Sequence, residues 1–415
     1  MSTSAAARIR TVGIAAGAFA LAWTVTVVAT AYWYGHDDLR AYHDAVQGWL
    51  DGQPLYSGLD AGAPFDLAPL AAVFFIPVTA WSVPVAVVLT TGISLLAVLL
   101  CVRLCFAEVT ARLNVNSRWG WTAAIALTLL LEPTRNVLGL GQTSLVLLAV
   151  ILVDLVFVTR GRWWGGIGIG LAIAAQPAFG VLILFLLLTY RWRAAFAAAA
   201  TVIVATVFGL LFLPEAAGTY LTEILFAPEN TGPLSASDNQ ALSGVLARLY
   251  EVGTDPAVTW LGFALFTVVW GLTRAREAHL RGNRLTAVAI AGLTGCLVSP
   301  VGPSYLFVWF IPALAVLLGW AMTKPPALHR PGLMDRTWGR WVITVGFLLC
   351  FTVAPIHWNP GGFIGLLTDN AFMIAAIALI AVLPKAAHRS PEDRFAVESV
   401  AGMNRLASSL CATTQ

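Results

Sequence analysis

The sequence predicts an all-α, polytopic membrane protein with about 10–12 transmembrane helices. Three observations carry this. Apolar types make up 59% of the 415 residues and charged types 11%, with a mean hydropathy of +0.80. A soluble domain has about 25% charged residues, so this chain has too few charges to coat a globule in water. Apolar runs long enough to cross a bilayer recur from residue 11 to residue 384. Basic residues then sort to one side when those runs are threaded back and forth. Together these exclude a soluble enzyme, a secreted disulfide scaffold and a nucleic-acid binder. Cys101, Cys105, Cys296, Cys350 and Cys411 show neither metal spacing nor a disulfide framework.

The first run, Thr11 to Tyr34, is too long for a signal-peptide core and reads as the first span. Further spans follow near 84–102, 119–132, 143–159, 163–176, 178–190, 194–213, 258–274, 285–298, 305–322, 339–355 and 369–385. The short pair 163–176 and 178–190 breaks at Gln176-Pro177, as two tilted spans or a re-entrant hairpin. Gly165, Gly166, Gly168 and Gly170 have no strand before them, so close helix packing explains them better than nucleotide binding.

An even number of crossings puts both termini on one side. That side carries 21 of the 24 Lys and Arg residues, and the other keeps only Arg40, Arg135 and Arg248. The basic side is cytoplasmic, which places the chain in the plasma membrane with both termini inside. The acids lean the other way, with 14 of 21 outside. The two long connections, about 35–83 and 214–257, are both outer ones, and long loops tend to carry function. The working face is therefore expected outside. Residues 1–390 read as a single transmembrane domain and 391–415 as a polar cytoplasmic tail.

In the first outer loop Leu39, Tyr42, Val46, Trp49 and Leu50 fall at helical spacing. They predict a short juxtamembrane amphipathic helix ended by Gly52. Asp37 and Asp38 stand at its start. Either one can be a helix cap, or one can be a general base at the lipid–water boundary, taking a proton from a hydroxyl. Arg40, Arg135 and Arg248 are the outer guanidiniums that can fork onto a phosphate. Arg135 can instead pair with Glu132 one turn before it. His43 is a further substrate contact or a structural histidine. The amides Gln142, Asn239 and Gln240 either satisfy backbone groups at helix breaks or bind sugar hydroxyls. Most tryptophans sit near span ends as interfacial anchors, with Trp49 and Trp309 the candidates for stacking on a sugar or a prenyl chain.

Asp38-Leu39-Arg40-Ala41-Tyr42 followed by Gly48-Trp49-Leu50-Asp51-Gly52-Gln53-Pro54-Leu55-Tyr56 resembles the first-loop signature of glycosyltransferase family 87. Further segments resemble the family in order: Leu131-Glu132-Pro133, Leu140-Gly141-Gln142-Thr143-Ser144-Leu145, Asp154-Leu155, Asp238-Asn239-Gln240-Ala241-Leu242-Ser243-Gly244, and Ser299-Pro300-Val301 with Val308-Trp309 and Pro312. The chain departs from the family at three places. Phe65-Asp66-Leu67-Ala68-Pro69 replaces the usual F-T-Y-P-P, Tyr305 and Leu306 stand where a histidine pair is usual, and Ala174-Ala175-Gln176-Pro177 lacks the family lysine.

The resemblance implies a GT-C fold and a mannosyl or hexosyl transfer from a polyprenyl-phosphate mannose donor to a glycolipid or lipoglycan acceptor. It implies an inverting reaction outside the cytoplasm, with α-(1→2) linkages. Asp38 would be the base, and Asp37, Arg40, Tyr42, His43, Arg135, Gln142, Asn239, Gln240 and Tyr305 would contact substrate. No cofactor and no metal is expected beyond the lipid-linked donor itself. Two other classes compete. A family-like protein without catalysis, serving as a lipid binder or partner subunit, fits the missing histidines and lysine. A transporter would need charges at mid-membrane, and these are nearly absent.

Overall fold

The computed structural model describes residues 21, 23–29, 32–57, 65, 67–112, 117–155, 164–225, 233–249, 257–323, 332–358 and 360–385. Most of the expected first span, Asp66, Glu229 and the expected tail 391–415 lie outside the described residues. Most of the described residues are helical and none lies in a strand; the only ladder contact among them is an isolated bridge between Asn239 and Pro303.

The helices run α1 (Asp37–Leu50), α2 (Pro69–Thr79), α3 (Val83–Cys105), α4 (Ala107–Arg112), α5 (Ser117–Leu130) and α6 (Glu132–Leu140). Next come α7 (Ser144–Val153), α8 (Ile167–Ala175), α9 (Val181–Leu188), α10 (Trp192–Phe212), α11 (Pro214–Thr219) and α12 (Leu242–Leu249). The last are α13 (Ala257–Leu280), α14 (Arg284–Val298), α15 (Phe310–Ala321), α16 (Thr337–Val353), α17 (Gly362–Thr368) and α18 (Ala371–Val382). The tighter turns Pro177–Gly180 and Ser304–Trp309 lead into α9 and α15.

Every expected span from residue 84 onward contains a helix. Among the described residues, five helices are long and apolar enough to cross a bilayer alone, and two bent pairs raise this to seven. One bent pair joins α5 to α6 at 70°, the other α17 to α18 at 58°. Four more apolar helices are shorter, among them α2, α7 and α14. α2 lies in what the sequence suggested was open loop: it is apolar throughout, starts on Pro69 and carries Pro77 near its end, and its 11 residues are too few to cross. α8 and α9 do not form one span, because Gln176 is extended and Pro177 restarts the chain in a tighter turn.

The glycines of 165–170 do serve packing. A Cβ on Gly170 would lie 2.6 Å from the Ala198 carbonyl oxygen, and one on Gly166 would overlap that of Ala194. Only Gly lets α8 approach α10 this closely. Asp154 is buried and accepts hydrogen bonds from the backbone N–H groups of Gly166 (2.9 Å) and Ile169 (3.0 Å), so it caps the start of α8.

Two apolar clusters organise the molecule. The larger is built around α7, α14 and α15, with Trp309, Phe310 and Ile311 fully enclosed. Trp309 meets Phe179 edge-on at 5.9 Å, so it is core and not a sugar platform. The smaller cluster joins Leu39, Tyr42 and Val46 of α1 to Phe65, Phe75 and Tyr220. It pins α1 to the bundle through three residues of its predicted apolar face, while Leu50 stays exposed. Large exposed apolar side chains crowd the outer faces of α10 and α13, such as Phe196, Val204, Leu211, Leu261 and Phe266. Water would penalise such faces and lipid does not; the chain is a multi-pass membrane protein.

Candidate active site

The site begins at a sharp turn. Gly35 and His36 both take the left-handed conformation, with φ of 74° and 57°, and turn the chain into α1. His36 occupies the N-cap position without a side-chain cap, so neither aspartate is the cap. Asp37 and Asp38 are the first helical residues, where a negative charge favours the helix dipole. His36 is buried, and its N–H donates to the Gly139 carbonyl at 3.1 Å. Burial and then the Arg40 guanidinium hold its imidazole below the usual pKa, with Asp37 opposing.

The end of α6 closes on this turn. Gly141 ends that helix at φ 80°, and a Cβ there would stand 2.5 Å from the Leu39 Cβ. That close approach delivers the next residue, Gln142, to α1. Its buried amide uses both N–H bonds: Nε2 donates to Asp38 Oδ2 at 2.6 Å and to Tyr42 Oη at 2.9 Å. Tyr42 is itself wedged edge-on between Phe65 (5.3 Å) and Phe75 (5.5 Å). The result is a half-buried carboxylate held by a neutral donor that cannot take its proton.

The structure brings Asp38, Tyr42 and Gln142 together and gives the other expected residues different company. Asp37 is exposed beside them. Arg40 spends only Nε, on the Gly35 carbonyl at 2.8 Å. His43 donates to the Trp81 carbonyl at 3.1 Å and contacts Asp44. Arg135 does not pair with Glu132; its Nη2 donates to the Thr352 carbonyl at 2.7 Å. Asn239 and Gln240 are buried, and their amides bond within the protein. Arg248 ties down the Ala236 (2.6 Å) and Asn239 (3.0 Å) carbonyls and the Asn370 side chain. Tyr305 lines a cleft of about 110 Å³ with Gln176, Ser299 and Tyr220.

That cleft shares Pro177, Tyr220 and Leu225 with an apolar groove of about 170 Å³ between α2, α8 and α10, walled by Pro69, Ile173 and Val202. A second polar knot was not foreseen from the sequence. Glu132 is buried at the start of α6 and accepts from Ser304 Oγ and His357 Nε2, each at 3.2 Å, while Asn136 also donates to Ser304 Oγ. His357 thus arrives beside the 303–305 turn from 225 residues after its Glu132 partner. The one sequence signal was an acid at the end of an apolar run, just before Pro133.

A carboxylate held by an amide, in a bundle whose apolar groove opens into a cleft with Gln176, Ser299 and Tyr305, suits a membrane enzyme that handles lipid-borne groups. The profile of glycosyltransferase family 87 matches residues 68–300, a stretch that holds Gln142, Asn239 and Gln240 but starts after Asp38. The chain is 31% identical over 330 residues to a polyprenol-phosphate-mannose-dependent alpha-(1-2)-phosphatidylinositol mannoside mannosyltransferase of Mycobacterium tuberculosis, covering 72% of this chain and 76% of that one. It is 31% identical over 357 residues to the corresponding pentamannoside mannosyltransferase of Mycolicibacterium smegmatis, covering 82% of each. An alpha-(1->3)-arabinofuranosyltransferase of Corynebacterium glutamicum matches at 25% over 306 residues, 68% of each chain. No solved structure matches. The chain belongs to glycosyltransferase family 87 and is a glycosyltransferase of the membrane.

Proposed function

We propose that the protein transfers mannose from a polyprenyl-phosphate donor to a phosphatidylinositol-mannoside-type glycolipid on the extracytoplasmic side, forming an α-(1→2) bond. The observation that carries this is the Gln142–Asp38 contact at 2.6 Å. It holds the carboxylate in place to act as a general base. The acceptor hydroxyl gives its proton to Asp38 as its oxygen attacks the anomeric carbon. The bond from that carbon to the phosphate oxygen breaks, and polyprenyl phosphate leaves with the electron pair. Attack opposite the leaving group turns a β-linked donor into an α-linked product.

The prenyl chain lies in the groove of Pro69, Ile173 and Val202, which leads to the Tyr305 cleft. The terminal nitrogens of Arg40 have no protein partner among the described residues, and they suit the leaving phosphate. No step calls for a metal or cofactor. Of the remaining expected residues, Tyr305 lines this cleft.

The test is an assay in membranes with radiolabelled polyprenyl-phosphate mannose and a phosphatidylinositol mannoside. Labelled product sensitive to α-(1→2)-mannosidase is expected. Label that appears only from a nucleotide sugar would reject the donor assignment. The orientation has its own test. Cysteine placed at exposed Ser57 should react with an impermeant thiol reagent in intact cells, and cysteine at exposed Arg281 only after lysis. The reverse pattern overturns the outer placement of the site.

A further inference from the structure

We propose that a cleft beside the far end of α1 binds neutral sugars of the acceptor headgroup, away from the hydroxyl that reacts; which sugar it takes rests on the function proposed above. The cleft has about 460 Å³, within the about 300–1,000 Å³ usual for small-molecule sites. One wall is the end of α1 and the chain after it, from Trp49 to Ser57, and the other is the end of α10, α11 and Glu223. Both walls lie on the side that the sorting of Lys and Arg makes extracytoplasmic. Trp49 is partly exposed here, whereas Trp309 is fully enclosed in the core. The walls are held before any ligand arrives. α1 ends in a Schellman turn: Gly52 takes φ 90°, the Gln53 N–H donates to the Gly48 carbonyl at 2.9 Å, and the Gly52 N–H donates to that of Trp49 at 3.0 Å. Behind this turn Tyr56 is buried, donates to the Leu67 carbonyl at 2.9 Å and stacks on Tyr220 at 6.2 Å. Tyr220 opens the wider turn Tyr220–Leu225 that carries Glu223. The ring pair thus fastens two segments that are distant in sequence.

The lining selects for hydroxyl groups. Trp49 offers an aromatic face to the C–H side of a sugar ring. Glu215 and Glu223 accept from hydroxyls, and Gln53 and Ser57 can both donate and accept. The Thr219 hydroxyl donates to the Glu215 carbonyl at 3.2 Å and keeps its lone pairs for a ligand. Among the described residues no Lys, Arg or His lines the cleft, so its two carboxylates repel a phosphate. That turns away the phosphate of the donor and of the acceptor lipid, and it leaves neutral sugars. Distance then separates this cleft from the chemistry. Asp38 and Trp49 stand on one unbroken helix, and at 1.5 Å per residue their spacing along its axis is about 16 Å. One sugar ring does not reach that far, so the ring held at Trp49 is a different one from the ring whose hydroxyl meets Asp38.

The full-length protein in nanodiscs is exposed to a diazirine-bearing α-(1→2)-mannotriose, and crosslinked peptides are mapped. Crosslinks are expected in peptides carrying Trp49 to Ser57 and Leu213 to Thr219, competed by unlabelled mannotriose and not by myo-inositol 1-phosphate. Trp49→Ala should weaken capture about tenfold, and Trp49→Phe far less. Glu215→Gln, at an exposed position, should weaken it about threefold. The wild-type map and Glu215→Gln decide the matter even if Trp49→Ala misfolds. In the transfer assay Trp49→Ala should raise KM for the glycolipid acceptor by the same factor, with kcat and the donor KM near wild type. A wild type that captures the mannoside at these peptides but transfers nothing would sink the mannosyl-transfer reading and support this site. Capture confined to peptides carrying Gln176 or Tyr305 would overturn it. So would an unchanged acceptor KM in an active Trp49→Ala protein. Competition by the inositol phosphate as readily as by mannotriose would overturn its assignment to neutral sugars.

Discussion

Asp38→Asn is expected to lower mannosyl transfer by about 10²–10⁴-fold, the usual cost of removing a general base, with normal expression and normal melting. The asparagine keeps the shape, and its amide oxygen can still accept from Gln142, so the fold has no reason to fail. Asp37→Asn should keep most activity. Asp37 is exposed and makes no cap, and its charge at the start of α1 is worth only about 0.3–1 kcal/mol. Gln142→Leu separates holding from catalysing. It leaves the base in place and removes the amide that orients it at 2.6 Å and joins it to Tyr42 at 2.9 Å. Its kcat should fall with little change in KM for the donor, and by less than in Asp38→Asn. Equal activity of Asp37→Asn and Asp38→Asn would reject Asp38 as the base. Full activity of Gln142→Leu would reduce Gln142 to a packing residue.

Periodicity and charge made most of this architecture legible. The 3.6-residue spacing of Leu39, Tyr42 and Val46 foretold α1 and its buried face, because one helix stripe must be covered. The role of Gly165 to Gly170 was legible too, since an apolar run leaves glycine little to do except admit a neighbouring backbone. Other features were not. α2 is apolar on every side, so no stripe distinguishes it from loop in a chain this hydrophobic. The Glu132–His357 contact joins residues 225 apart in sequence, and only the packing of α6 against the end of α16 brings them together. The local alternative, Glu132 with Arg135, looked natural from helical spacing. It lost because Arg135 found the Thr352 carbonyl instead. The amides were read by residue type, and type alone cannot tell a sugar contact from a backbone contact. Gln142 reaches Asp38, and Gln240 does not.

Gln240 is the clearest case of that difference, and Gln240→Leu should cost about 2–4 kcal/mol of stability. Its Oε1 accepts from the Phe372 (3.0 Å) and Met373 (3.3 Å) N–H groups, which begin α18 and have no partner within that helix. Its Nε2 donates to the Ser237 (2.5 Å) and Asp369 (2.6 Å) carbonyls. One side chain, fully buried, therefore satisfies four backbone groups on two segments, and leucine of similar size leaves them buried without bonds. Arg248 fastens the same two segments, through the Ala236 and Asn239 carbonyls on one and Asn370 on the other. The two losses should then overlap. Once either link is cut, the 236–240 strap already moves away from α18, and the second link has less to hold. Arg248→Met combined with Gln240→Leu is expected to cost less than the two single changes taken together. Transfer per folded molecule should stay near wild type in Gln240→Leu, measured by thermal melting and activity on the same detergent-purified sample. A Gln240→Leu protein that melts normally but transfers poorly would return this amide to the substrate.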